Sequence, residues 1–314
     1  FIGRNEYFDL IKYLFKHKNS FDVVFIGYDS PLLVCLAKLF STKKVVYNAL
    51  CSVYERLIVS RELASRFSVK AVYYWLSDLL ASHSADLIMV ETDRQARYFK
   101  KLFFLPKSNV FKAWTGVDDD VFYRNLPAID KFPVFTTVFR GQFVPESGVE
   151  CVVKAAKILE NEDINFIIHG GGQNTVTVKK LIERTAPKNL KLVTDFLPAE
   201  ELRNLMQKCH LSLGQLSDHP RLERTIPHKC YESLAMRLPY LTAANKGVLE
   251  LLEPGKTCVE CKPADAEDLA EKILWAKNNP DKLDKIAEDG FQLYKENLRS
   301  DILAKNLLDR LIQL

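Results

Sequence analysis

The sequence has no apolar stretch long enough to span a bilayer and no signal-peptide pattern, so it reads as a cytosolic protein. It also lacks a Walker loop, a Gly-x-Ser-x-Gly elbow and a His-Glu-x-x-His pair, which removes the signatures of P-loop, serine-hydrolase and zinc-protease chemistry. Charge of one sign is missing too. Forty-four Lys and Arg against 40 Asp and Glu give +4, too small and too dispersed for a nucleic-acid footprint. The seven cysteines are an odd set scattered through apolar runs, and Cys35, Cys151, Cys209 and Cys230 read as buried thiols in a reducing compartment. Cys258 and Cys261 form a lone CxxC with no second pair and no histidine cluster, so neither zinc nor redox chemistry is expected there. There is no internal repeat and no low-complexity tract.

What is present is 314 residues, 47% hydrophobic and 27% charged, enough for two domains with their own cores. Apolar strand-length runs alternate with helical periodicity throughout, the pattern of parallel sheets. In the first half, helices are expected at 5–18, 31–40, 52–83 and 93–104, and strands at 21–27, 44–47, 86–90 and 110–114. A proline-containing segment at 123–133 reads as a linker. The second half repeats the alternation from a strand at 134–139 to a final helix at 283–312. The expected organisation is an α/β chain of two Rossmann-like domains facing a cleft, at 1–125 and 126–290, with a C-terminal helix at 291–314 packing back on the first. Because Phe1 opens directly on a helical pattern, the N-terminal domain is expected to be incomplete.

Ligands of such sheets bind beyond the carboxyl ends of the strands. Arg140, Gly170, Gly171, Gly172, Leu197 and Thr225 fall at such ends. Arg140 suits a diphosphate, with the helix start near Gly148 adding N–H donors, or equally a surface pair with Glu146 or Glu150. The glycines 170–172 admit close backbone approach to a phosphate or base, or make a plain tight turn. A short helix opens at Pro227, with Tyr231, Leu234 and Ala235 on one stripe and Lys229 and Glu232 on the other face. The last two suit a ligand with phosphate and sugar hydroxyls, or form an i,i+3 salt bridge on a solvated helix. Asp118, Asp119 and Asp120 read as caps and turns rather than a metal site. His169 is placed near a ligand at its strand end, and His210 as a satisfied edge residue.

Taken together, Phe139-Arg-Gly-Gln-Phe-Val-Pro-Glu-Ser-Gly148, Ile168-His-Gly-Gly-Gly172 and Ile226-Pro-His-Lys-Cys-Tyr-Glu-Ser-Leu-Ala235 with Pro239 resemble the retaining glycosyltransferases of family 4, which have the GT-B fold. The first half agrees through Ala85-Asp-Leu-Ile-Met-Val-Glu-Thr92 and Thr115-Gly-Val-Asp118. The resemblance implies that Glu232 holds the ribose hydroxyls of a nucleotide-sugar and that Arg140 contacts the donor diphosphate. Three departures accompany it. Arg224 stands eight residues before Glu232, where the family has a second glutamate, with Glu223 displaced by one. Ser147 replaces the usual lysine, and the family's first strand and glycine-rich loop have no counterpart before Phe1. Lys229 or Arg224 is the candidate for the missing positive charge.

The expectation is therefore transfer of a sugar from a nucleoside diphosphate donor to a glycan or lipid-linked acceptor hydroxyl, with retention of configuration and without metal or other cofactor. Arg140 and Lys229 would act on the leaving diphosphate, and Glu232, Gly170, Gly171, Leu197, Thr225 and Arg224 would bind the donor. Asn48, Ser52 and Tyr54 would face the acceptor. Basic and aromatic clusters around Lys12, Lys16 and Lys18, and around Lys100, Lys101, Phe104 and Lys107, suit peripheral contact with the inner face of an anionic membrane, or are ordinary amphipathic helices. The alternatives are a non-catalytic nucleotide-sugar-binding subunit and a nucleotide-sugar epimerase.

Overall fold

The computed structural model describes residues 7–106 and 109–314, so Lys107 lies outside the described residues. The chain divides into two compact units, one of residues 1–115 with 305–314 and one of residues 116–304.

In the first unit, four parallel strands lie in the order β1 (Val23–Ile26), β2 (Lys44–Leu50), β3 (Leu87–Val90) and β4 (Val110–Lys112). Val45, Val46, Tyr47 and Ala49 of β2 are all buried, as expected for a strand covered on both faces. On one face, α1 (Tyr7–Lys16), α2 (Pro31–Phe40), α3 (Val69–Ser84) and α4 (Asp93–Leu102) bring Leu10, Leu14, Val34, Ala37, Ala81 and Phe99 into one core. Leu307, Leu311 and Leu314 pack with Val46, Leu87 and Met89. The helix starts are written locally. Pro31 opens α2, Ser68 accepts from Ala71 N at 3.1 Å, and Thr92 accepts from Gln95 N at 2.9 Å.

The continuous helix expected at 52–83 is broken. Glu55–Ser60 forms a π-helical turn, Glu62 at φ 52° ends it, and α3 starts only at the Ser68 cap. Cys35 is half-buried rather than buried, whereas Cys151, Cys209 and Cys230 are buried.

The second unit carries six parallel strands in the order β10-β9-β8-β5-β6-β7, namely β5 (Phe135–Gln142), β6 (Ile164–Gly171), β7 (Leu190–Val193), β8 (Leu211–Leu213), β9 (Tyr240–Ala243) and β10 (Val259–Cys261). The intervening helices are α5 (Val149–Ile158), α6 (Thr175–Thr185), α7 (Ala199–Lys208), α8 (His228–Ala235), α9 (Ala266–Asn278) and α10 (Pro280–Asn297), and α11 (Ser300–Ile312) follows. Val149, Val152 and Val153 of α5 pack with Phe139, Ile168, Leu213 and Ile273 in the main core.

Two expectations are corrected here. The strand ends are longer than the apolar runs, so Arg140, Gly170 and Gly171 lie within paired strands rather than after them. The single helix expected at 283–312 is two, because Leu298 is fully buried and Ser300 N donates to Asp119 Oδ2 at 2.8 Å, which fixes a new helix start. Strand β10 escaped the sequence reading, since three residues are too few to show a period.

Candidate active site

The second unit gathers its unusual charges at the carboxyl side of its sheet. Strands β5 and β6 run in register with Arg140 opposite His169, Gly141 opposite Gly170 and Gln142 opposite Gly171. Gly170, at φ 146°, touches its neighbour so closely that a Cβ would sit 1.9 Å from Gly141 O. That approach needs glycine. A Cβ on Gly141, at φ 130°, would stand 3.6 Å from Lys229 Cε and Nζ, so the lysine lies directly over this backbone.

Helix α8 is not the solvated helix that the i,i+3 reading required. Every residue from Lys229 to Ala235 is buried, and only His228 at its first position is exposed. Lys229 and Glu232 accordingly take partners from other elements. The Glu232 carboxylate forms an ion pair with the Arg140 guanidinium. Lys229 Nζ donates to Gln215 Oε1 at 3.1 Å and lies 3.9 Å from the centroid of the Phe139 ring. The Arg140 guanidinium faces the Phe122 ring at 5.4 Å.

The electrostatics follow from this packing. Burial pushes the Lys229 ammonium well below its ordinary pKa, and Arg140 lowers it further, while Glu146 opposes. Burial also lowers Arg140 to about 10, while Tyr240 opposes and Glu232 forms an ion pair with it. A guanidinium stays protonated at neutral pH through either effect. His228 is lowered as well, by desolvation first and by Arg140 second. Arg140 Nε is buried with no hydrogen-bond partner among the described residues. The cluster therefore holds a buried cation, Lys229, a half-buried one, Arg140, one carboxylate and a donor with no partner among the described residues, an arrangement that favours an anion.

Glu146 does not pair with Arg140. It binds Arg221, whose NH1 donates to Glu146 Oε1 at 2.5 Å. Ser147 is fully buried, and its hydroxyl accepts from Val149 N at 3.4 Å. Thr225 is buried beside the cluster's helix, and its hydroxyl donates to Arg221 O at 3.5 Å. Arg224 NH1 donates to Pro220 O at 3.2 Å, and Glu223 is bridged to Lys246 at 2.9 Å. Leu197 lines a groove of about 400 Å³ with Phe132, Ile167, Val193 and Leu205. Gln215, Phe139 and the Glu146–Arg221 pair were missed as site residues. Gln215 was findable, since it follows β8 by two positions and obeys the same strand-end rule.

In the first unit, the Ser52 hydroxyl accepts from Glu55 N at 2.9 Å and is fully buried, while Tyr54 N donates to Asp78 Oδ2 at 2.7 Å. Asn48 is half-buried on β2. His169 Nε2 lies 3.1 Å from Asp195 O, and His210 Nδ1 accepts from Thr136 N at 3.0 Å. Asp118 accepts from Asp120 N at 3.1 Å, and Asp119 from Tyr294 and Ser300. No group of three potential metal ligands occurs among the described residues, and no helix among them is long and apolar enough to cross a membrane.

A family model described as glycosyl transferases group 1 matches residues 128–293. Alpha-D-kanosaminyltransferase of Streptomyces kanamyceticus is 25% identical over 172 residues, 54% of this chain and 43% of that protein. An uncharacterized glycosyltransferase of Methanocaldococcus jannaschii is 21% identical over 237 residues, 69% of this chain and 63% of its own length. The chain thus spans less than two thirds of either relative. Among solved structures, Anabaena HepE in complex with UDP superposes with a TM-score of 0.75 at 16% identity, over 97% of this chain and 82% of that one. Sucrose-phosphate synthase of Thermosynechococcus elongatus superposes with a TM-score of 0.78 at 14% identity, over 100% and 80%. These likenesses identify the fold as GT-B.

Proposed function

Because the chain belongs to the group 1 glycosyl transferases, we propose that it moves a sugar from a nucleoside diphosphate sugar to an acceptor hydroxyl with retention of anomeric configuration, in glycan or glycolipid synthesis. The observation that carries this reading is the cluster of half-buried Arg140 with buried Lys229 and Glu232, in which cations outnumber carboxylates. A diphosphate supplies the missing anion. Glu232, an acceptor of hydrogen bonds, takes the ribose hydroxyls. HepE has been solved with UDP, which agrees with such a donor.

In the reaction the bond from the anomeric carbon to the diphosphate oxygen breaks, and a bond to the acceptor oxygen forms. The acceptor proton passes to the departing diphosphate. Charge develops on the leaving oxygen, and preorganised cations in a water-poor site offset it without reorganising. Arg140 and Lys229 have that position in the proposal, and no metal is needed for it. The end of β6 carrying Gly170 and Gly171 lets the donor approach the backbone. Thr225, Arg224 and Leu197 stand at the edge of the donor site, and Asn48 and Tyr54 on the acceptor side.

Incubation with UDP-, GDP- and ADP-sugars and a panel of glycoside acceptors, read by proton NMR of the anomeric signal, tests this. An α-linked product from an α-linked donor is expected. A β-linked product contradicts retention, and nucleotide binding without product favours a binding subunit. Release of nucleotide and altered sugar without acceptor favours an epimerase.

Membrane contact is part of the same proposal. Phe8 and Phe15 of α1 are exposed with Lys12 and Lys16 on the same helix, and Phe104 is exposed after Lys100 and Lys101 of α4. Flotation with anionic but not neutral vesicles is the expected result, and failure to float with either removes it.

A further inference from the structure

Helix α3 is built inside out. Its buried residues are small or polar, Ala71, Ser77, Asp78, Ala81 and Ser82, while Val69, Val72, Tyr73, Leu76 and Leu80 are exposed. Trp75 and Leu79 reach the core only in part. A helix on the surface of a single folded chain shows the reverse, an apolar stripe inward and charge outward. Polar contacts fix the orientation. The Asp78 carboxylate accepts from Val53 N at 3.1 Å and Tyr54 N at 2.7 Å, so turning α3 to bury its apolar side would strip a buried carboxyl of both donors. On the outward side Val72, Leu76 and Leu80 form an i, i+4 ridge, and Val69 and Tyr73 start a second. The loop before the helix extends the patch with Leu63, 53% exposed, and Phe67, 97% exposed.

The composition of this face decides what covers it. Between residues 71 and 84 the only Asp, Glu, Lys or Arg is Asp78, on the inner side, and Tyr73, Tyr74 and Trp75 are consecutive. Few charges and many aromatics mark the core of a protein–protein contact. A helix lying on an anionic bilayer has lysines and arginines along its polar side. Helix α3 instead turns that side into its own unit and carries Lys70 alone. The stripe with Leu63 and Phe67 exposes on the order of 700 Å², more than the roughly 300–600 Å² of the largest patch on a typical monomer and close to the roughly 800 Å² that a standard interface takes from each partner. The cations Arg61, Arg66 and Lys70 gather at its amino end. A two-fold axis at Leu76 sets two copies of α3 antiparallel and keeps the two Lys70 positions about 18 Å apart along the helix, beyond a Debye length of about 8 Å. The apolar ridges then meet while the like charges do not. We propose that this face is the two-fold interface of a homodimer, with α3 of one copy packed on α3 of the other. The inference is independent of the transfer reaction.

Sedimentation velocity of the native chain, from about 1 to 100 μM, tests this, and a dimer with Kd at or below the micromolar range is expected. Leu76→Glu places like charges across the axis and should raise that Kd at least about 100-fold, and Leu76→Lys should do the same. Mixing the two variants pairs opposite charges and should bring association back to within about tenfold of the native value, which non-specific stickiness would not do. Leu308→Glu, at another exposed leucine, on α11, should stay within about twofold. Circular dichroism confirms that each variant is folded, as expected for side chains that point outward. A monomer across the whole concentration range overturns the proposal. If that monomer floats with phosphatidylglycerol vesicles and Leu76→Glu abolishes the flotation, a bilayer covers the face instead. A dimer that neither Leu76 variant weakens also overturns it, as does a mixture of the two that fails to associate.

Discussion

The two units bury charge in opposite senses. Around α8 in the second unit the cations Arg140, Lys229 and Arg221 face the carboxylates Glu232 and Glu146. Around the π-helical turn in the first unit lie the carboxylates Asp29, Glu55 and Asp78, with Arg56 paired to Asp29. Buried charge is costly unless paired, so an imbalance kept by the fold marks where a ligand or backbone dipoles complete the pairing. In the first unit the backbone completes much of it. Asp78 accepts from Val53 N at 3.1 Å and Tyr54 N at 2.7 Å, and Gln95 Nε2 donates to Glu55 Oε2 at 2.5 Å. In the second unit Lys229 Nζ donates to the neutral Gln215 and lies over the Phe139 ring. The contrast teaches that the same degree of burial is structural in one place and poised for an anion in the other.

The largest way to break the comparison is Arg140→Ala, which leaves the Glu232 carboxylate buried without its partner. Urea unfolding should show a loss of about 3–5 kcal/mol, and Arg140→Ala combined with Glu232→Gln should recover part of it. A loss below about 1 kcal/mol would mean that the pair behaves as a surface salt bridge.

The first unit is sharpened by pH. Burial raises the Asp78 carboxyl from 3.8 to about 7, more than the two backbone N–H donors lower it. Between those values the folded chain holds a proton that the unfolded chain has lost, so stability is full below pH 3.8 and falls as pH rises through about 7. A decrease on the order of 2–4 kcal/mol between about pH 4 and pH 8 is expected from this group. Asp78→Asn should flatten that slope, and an unchanged slope in the variant would assign it to other groups.

The smallest effect distinguishes Arg224. It lies in the motif but is half-exposed and bound to Pro220 O, so Arg224→Ala should change stability by less than about 0.5 kcal/mol. If its nucleotide affinity falls as far as that of Lys229→Met, Arg224 shares the phosphate site.

Much of this was legible in the sequence, for stated reasons. Strands buried on both faces leave continuous apolar runs such as 44–47 and 86–90, and their alternation with helical periodicity specified the parallel sheets. Arg140 and Thr225 were singled out by their place after apolar runs, and Lys229 and Glu232 by their spacing. Their partners were not legible. A three-residue spacing on one helix suggested that Lys229 and Glu232 face each other, yet burial of the whole helix sends each to a residue 14 and 92 positions away, Gln215 and Arg140. The breaks at 61–68 and 298–299 were also hidden, because they depend on Ser68 capping α3 and on Asp119 reaching Ser300 from 181 residues earlier.

Titration of UDP, GDP and ADP by calorimetry tests the central claim most directly on the native chain and on Lys229→Met. A diphosphate supplies an anion for the buried Lys229 ammonium, so one nucleotide should bind. Lys229→Met should bind it about 10–100-fold more weakly, while gaining about 1–3 kcal/mol of stability without ligand. If none of the three binds the folded chain, or if Lys229→Met binds as tightly as the native chain, the cluster is not a diphosphate site.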